Sequence, residues 1–203
     1  NSDTYAYFGE PLYTYSLKQG INDGFLTPFK VIQVETSLTS VTIDGDDKVI
    51  KGEPVAGKVY GVKEFGKDIM SPERDEFMVK WLMKNINMDQ KTIVFCGTQD
   101  HAAQVRDLIT KHKGSQYVDY CVRVSADDKD IGDAHLKQFQ DNEKSLPTIL
   151  TTSHKLSTGV DAKNVRNIVL MRPPQNIIEF KQIVGRAVPG CSMARTTSRS
   201  SIS

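Results

Sequence analysis

Three short polar clusters hold most of the chemistry this 203-residue chain could offer: GTQDHA at 97–102, SHKLSTGVD at 153–161 and QIVGR at 182–186. The first two follow the apolar runs TIVFC (92–96) and TILTT (148–152), whose lengths suit buried strands, so both read as strand-end loops. The third closes a helical pattern. In parallel sheets ligands gather at the carboxyl ends of strands, which makes these loops the candidate site. Lys155 and Arg172 stand near the same ends and could meet phosphates, although Lys155 reads equally, and Arg172 more readily, as a solvated charge. Each other member also has a plain local reading. Gly97 and Thr98 can be a turn and a helix cap, Gly159 and Asp161 turn residues, and Arg186 a cation complementing a helix end. Their shared order on successive elements argues against coincidence.

Other chemistries find little support. His101, His112, His135 and His154 show no HxH or HExxH spacing, so no metal centre is expected. His101 and His154 flank the clusters and read as ordinary helix and loop histidines. Cys96, Cys121 and Cys191 form neither a CxxC pair nor an even disulfide framework, and a reducing cytoplasm fits them. No GxxxxGKS/T loop is present, and Gly66-Lys67, followed by Asp68, reads as a turn. Twenty-six Lys and Arg against 25 Asp and Glu leave +1, so no global field advertises a polyanion, while a local basic surface remains compatible. No run nears the roughly 18 apolar residues of a membrane span. The first ten residues have no signal-peptide pattern, and a start at Asn rather than Met suggests a piece of a longer chain.

The elements that must position the clusters follow from periodicity. Ser16 is placed as the cap of a short helix running to Asp23, with Gly24 as its stop. VIQVETSLTSVTI from Val31 alternates, and Asp44-Gly45 is expected to turn it back onto KVI at 48–50 as an appended β element. Ser71-Pro72 starts a helix whose Phe77, Met78, Trp81, Leu82 and Ile86 are expected to face the core. TIVFC, a helix capped by Thr98, YVDYCVRV (117–124), a helix around Leu136 and Phe139, TILTT, NIVLM (167–171) and a helix over IIEFKQIV then alternate. That order predicts an α/β fold: a doubly wound, mainly parallel sheet with helices on both faces.

The clusters, in this order, resemble motifs IV, V and VI in the second RecA-like lobe of superfamily-two helicases and translocases. With YFGEPLYTYSLKQGINDGFLTPFKV (7–31), TTSHKLSTGVDAKNVRNIVLMRPP and IIEFKQIVGR, the chain is similar to the R subunit of type I restriction endonucleases across residues 5–186, most weakly over 40–70. The resemblance implies a RecA-like domain over 31–186 with a β-hairpin insertion near 40–70, preceded by a connector from a first lobe over 1–30. It implies ATP and Mg²⁺ held mainly by that first lobe, and double-stranded DNA as track. Its partners would be the first lobe and nuclease domain of the same subunit, and the methyltransferase and specificity subunits of the complex. Residue by residue, Thr152, Ser153, Thr158, Gly97, Thr98 and Lys155 would meet the nucleic-acid backbone. Gly159, Asp161 and Gly185 would face the nucleotide. Gln182 and Arg186 would complete the ATP site, with Arg186 as arginine finger.

Two departures limit this. Phosphate loop, acidic Walker-B box and nuclease motifs are all missing, so the chain by itself is expected to be inactive. The family pattern QxxGRxxR also fails, because position 189 is Pro. Residues 187–203 are expected to form an aberrant tail, frameshifted or disordered. Codons exist for AVPGCSMARTTSRSSIS that, read from the third base of Ala187, give GTRLFDGKDYFTIFDF and restore the arginine. Another superfamily-two helicase lobe, or a non-catalytic RecA-like interaction module, are the alternatives.

Overall fold

The computed structural model describes residues 16–24, 30–36, 40–42, 59–61, 71–114, 118–153, 164–173, 179, 182–183 and 192–198. Eight strands are assigned: β1 (Lys30–Thr36), β2 (Ser40–Thr42), β3 (Val59–Gly61), β4 (Thr92–Phe95), β5 (Cys121–Arg123), β6 (Ile149–Thr152), β7 (Asn167–Leu170) and β8 (Ser192–Ser198). Among the described residues they are accompanied by α1 (Leu17–Asn22), α2 (Pro72–Asn85), α3 (Gln99–Lys113) and α4 (Lys129–Gln140), and Glu179, Gln182 and Ile183 are also helical. Six strands form one sheet in the order β1-β8-β7-β4-β6-β5, and every pairing in it is parallel.

The order explains the two-faced wrapping. From β4 the chain steps through α3 to β5, then back through α4 to β6, and finally past β4 to β7. Right-handed crossovers taken in opposite directions must lay their helices on opposite faces. Side chains record this with the period of two that a strand imposes. Val94, Cys96, Ile149, Val169 and Met171 pack with Met78, Val79 and Leu82 of α2 and Ala102, Val105 and Ile109 of α3. Their neighbours Ile93, Phe95, Leu150, Ile168 and Leu170 pack with Phe139 of α4 and with Ile183. β4, β6 and β7 are buried along their whole length, which is why they read as unbroken apolar runs.

Local signals set the helix ends. The Ser16 hydroxyl accepts from the Gln19 amide while the Gln19 side chain accepts from the Ser16 amide, a reciprocal cap. Gly24 follows at φ +79°, a conformation that costs glycine least. Thr98 caps α3 as expected, accepting from the His101 amide at 3.1 Å. Pro72 stands at the head of α2, and Ser71 takes the cap position without a side-chain bond.

Four expectations change. Phe77 is 49% exposed, because the buried stripe of α2 runs through Met78, Val79 and Leu82 one step away. Within YVDYCVRV only Cys121–Arg123 is strand. Val118–Tyr120 coils into a 3₁₀ turn, whose Tyr120 carbonyl accepts from the Thr148 amide. β1 belongs to the main sheet rather than to an appendage, pairing in parallel with β8. The antiparallel partner of β2 is Val59–Gly61, while Asp44-Gly45 and KVI at 48–50 lie outside the described residues. The tail is not disordered throughout: Ser192–Ser198 is a strand between β7 and β1. Backbone ladders on both sides supply what its composition lacks, and Thr196 and Thr197 suit extended chain. Residues 187–191 and 199–203 lie outside the description.

Candidate functional site

The carboxyl ends of β4, β6 and β7 lie side by side. The Cys96 amide donates to the Thr152 carbonyl at 2.7 Å, and the Met171 amide to the Phe95 carbonyl at 2.9 Å. Gly97, Thr98, Thr152, Ser153 and Arg172 therefore share one edge of the sheet, as their positions after three apolar runs predict. Gln182 is exposed on a helical segment whose next residue, Ile183, is buried against the sheet. Lys155, Thr158, Gly159, Asp161, Gly185 and Arg186 lie outside the described residues, as does His154.

Two buried guanidinium groups organise this edge. Arg74, in the first turn of α2, donates to the Met171 carbonyl at the end of β7 (3.2 Å) and pairs with Asp75 at 3.4 Å. Arg172 donates through Nε to the Cys96 carbonyl just past β4 (3.1 Å) and through Nη1 to the Pro173 carbonyl (3.1 Å). Its other contacts are to both carboxylate oxygens of Glu179, one of them at 3.3 Å. The expectation that Arg172 is a solvated charge is thus overturned: it is 7% exposed and Glu179 8%. A buried arginine must be paired and bonded, and a carboxylate seven residues on in the sequence supplies that. Burial draws the Arg74 guanidinium below its ordinary value, with Asp75 opposing.

His101 completes the wiring. The Gly97 amide donates to its Nδ1 at 3.1 Å, and its Nε2 lies 3.2 Å from Asp75 Oδ2. An accepting Nδ1 leaves the ring proton on Nε2, facing the carboxylate. His101 is fully buried, so it braces the turn after β4 and is not presented to a ligand. Gly97 is buried with its amide engaged, and the Thr98 hydroxyl is engaged as an acceptor. Sequence reasoning passed over Arg74, Asp75 and Glu179. They sit at helical positions scored for apolar periodicity alone, and only the acidic first turn of α2 hinted otherwise.

What this edge can offer a ligand lies at β6. The Thr152 hydroxyl is buried and has no hydrogen-bond partner among the described residues, and Ser153 follows it at the tip. A buried polar atom without a partner at a strand end is a place for a phosphate oxygen or a water. Cys96 is no nucleophile here. Burial first, and then the nearby Asp75 and Cys121, push its thiol well above the usual range. Among the described residues no group of three metal-ligating side chains occurs, and no described helix is long and apolar enough to cross a membrane. A separate cleft of about 320 Å³ runs along the outer edge of β5, lined by Arg106, Val118, Arg123, Ile131 and His135, and it holds none of the expected residues.

Comparison with known proteins agrees with this geometry. Residues 73–188, more than half the chain, match the helicase conserved C-terminal domain. The chain is 37% identical over 191 residues to the type I restriction enzyme EcoAI endonuclease subunit of Escherichia coli, covering 89% of this chain and 23% of that one. A fragment structure described as an HsdR subunit of a type I restriction enzyme from Vibrio vulnificus YJ016 superposes with a TM-score of 0.70 at 33% identity. That alignment covers 97% of this chain and 37% of the other. Domain 2 of the DEAD-box helicase Mss116p, at 15% identity and a TM-score of 0.52 over 63% of this chain and 51% of that one, shares the fold. The chain thus spans less than a quarter of the curated relative's length. With a family match over more than half of its length, the chain belongs to the helicase conserved C-terminal domain family, and it is similar to part of the type I restriction enzyme subunits above.

Proposed function

We propose that this domain is the second motor lobe of an ATP-dependent R subunit that translocates double-stranded DNA. What carries the reading is the Thr152 hydroxyl at the tip of β6, partnerless among the described residues and directly before the SHKLSTGVD run, in a domain similar to R subunits. Thr152 and Ser153, with Thr158 and Lys155 beyond them, contact backbone phosphates, so binding is salt-sensitive and indifferent to sequence. Thr98 borders that track, and Gly97 shapes its turn. Gly159, Asp161 and Gly185 line the nucleotide face. Gln182 and Arg186 reach across to complete the ATP site, Arg186 stabilising charge on the transferring phosphoryl group. ATP with Mg²⁺ supplies that group, held mainly by a first lobe. Two lobes sharing one site couple hydrolysis to closure. The nuclease domain, methyltransferase and specificity subunits complete the assembly, in the cytoplasm, and the lobe alone is inactive.

The test combines this chain with a separately produced first lobe. DNA-stimulated ATP turnover, lost in the Arg186→Ala variant, is the expected result. Silence at saturating first lobe would sink the motor reading and leave a non-catalytic interaction module.

A further inference from the structure

Arg172 occupies a position that the motor chemistry alone does not explain. Its guanidinium joins three stretches of chain: the Cys96 carbonyl past β4, the Pro173 carbonyl after β7, and the carboxylate of Glu179. Glu179, Gln182 and Ile183 are each helical, and Ile183 inserts into the core with Ile168 and Leu170 of β7. The chain here therefore meets the sheet through an apolar anchor at Ile183 and an ionic one at Glu179, four residues apart in the sequence. Gln182 is exposed between them, and Arg186 follows Ile183 by three residues in the sequence.

We propose that Arg172 and Glu179 form a positioning clamp that fixes the chain at Glu179, Gln182 and Ile183, which leads on to Arg186, relative to the turn after β4. This rests on the motor reading for its consequence and on the described contacts for its mechanism. Arginine suits the task because its fork can serve a carboxylate in two places while Nε serves a carbonyl. A lysine keeps the charge but carries a single nitrogen and cannot reach all three acceptors. The clamp acts through Gln182 and Arg186, and its effect falls on how often they are in place, not on how tightly substrate is held. A small misplacement of a group that acts in the transition state lowers kcat with little change in KM.

Two measurements test it, with Arg172→Lys and Glu179→Gln as conservative variants. In the 203-residue chain, amide exchange at Glu179, Gln182 and Ile183 should speed up about tenfold in either variant, while β4 and β6 keep their protection. Unchanged exchange at those three residues overturns the clamp, whatever the motor reading does. In the two-lobe assembly, DNA-stimulated kcat per folded molecule should fall on the order of tenfold with KM for ATP within about twofold, and the double variant should be no worse than either single one. Multiplying losses, or a lower folded fraction with unchanged kcat per folded molecule, would show a merely structural pair. Arg186→Ala serves as reference. Turnover that survives it refutes the motor reading and leaves the exchange result to judge the clamp.

Discussion

His101 Nε2 and Asp75 Oδ2 meet at 3.2 Å with both side chains shut away from solvent, joining the first turns of α2 and α3. One carboxylate thereby meets two partners, since Arg74 pairs with its other oxygen. Replacing Asp75 by Asn keeps the shape and removes the charge that Arg74 faces. Breaking a buried pair from one side should cost about 3–5 kcal/mol. Urea denaturation of the variant checks this, and a loss below about 1 kcal/mol would show that Arg74 is compensated by its remaining contacts, the Met171 carbonyl among them.

Thr152→Val should behave in the opposite way. The hydroxyl has no partner among the described residues, so an isosteric apolar side chain should leave stability unchanged or raise it by about 1 kcal/mol. In the two-lobe assembly the same variant should weaken DNA-stimulated turnover. A stability gain joined to a functional loss marks a residue kept for its ligand. Full turnover would remove Thr152 from the site.

Gly132 lies in α4 where an added Cβ would come within 2.9 Å of the Asp128 Cβ. Ala is ordinarily favoured over Gly inside a helix, yet here it must push apart the turn and the helix. Gly132→Ala should therefore destabilise by about 1–3 kcal/mol. Thermal unfolding decides the sign, and a raised midpoint would mean that the turn yields freely.

Asp128 gives the pH dependence a definite sign. Burial raises its carboxyl pKa, but hydrogen bonds from Arg123 and Ser125 outweigh this and hold it below the ordinary value. The stability it contributes is complete above an unfolded aspartate pKa of about 3.9 and is lost as pH falls through the lower folded value. Asp128→Asn should flatten the acid limb of the stability curve below about pH 4. An unaltered limb would assign that limb to other carboxylates.

The three buried central strands were legible because each depends on local pattern, the apolar runs of β4, β6 and β7, and two helix starts were legible from their caps at Ser16 and Thr98. What stayed hidden depends on partners distant in sequence. β1 reads as an isolated alternating segment, and only Ser192–Ser198 makes it a member of the sheet. The tail reads as disorder because composition says nothing of two neighbouring backbones waiting to be paired. At the site, Thr152 and Ser153 fell where the strand pattern put them. Arg172 did not read as buried, since nothing near it in sequence announces that Glu179 will turn back to meet it. The Asp75–His101 contact likewise joins two helices that periodicity treats one at a time.

The strand order also bears on how the polypeptide reaches this state during synthesis. β4, made early, takes one neighbour that begins at Ile149 and another that begins at Asn167, so both of its hydrogen-bonding flanks wait while most of the domain is still emerging. β1 waits longer still, for residues 192–198. Such non-local pairing makes for slow folding and leaves apolar strands exposed to wrong partners meanwhile. A ribosome-bound chain ending before Asn167 should therefore be captured by chaperones and cleaved readily by protease, while one extended past Ser198 should resist both.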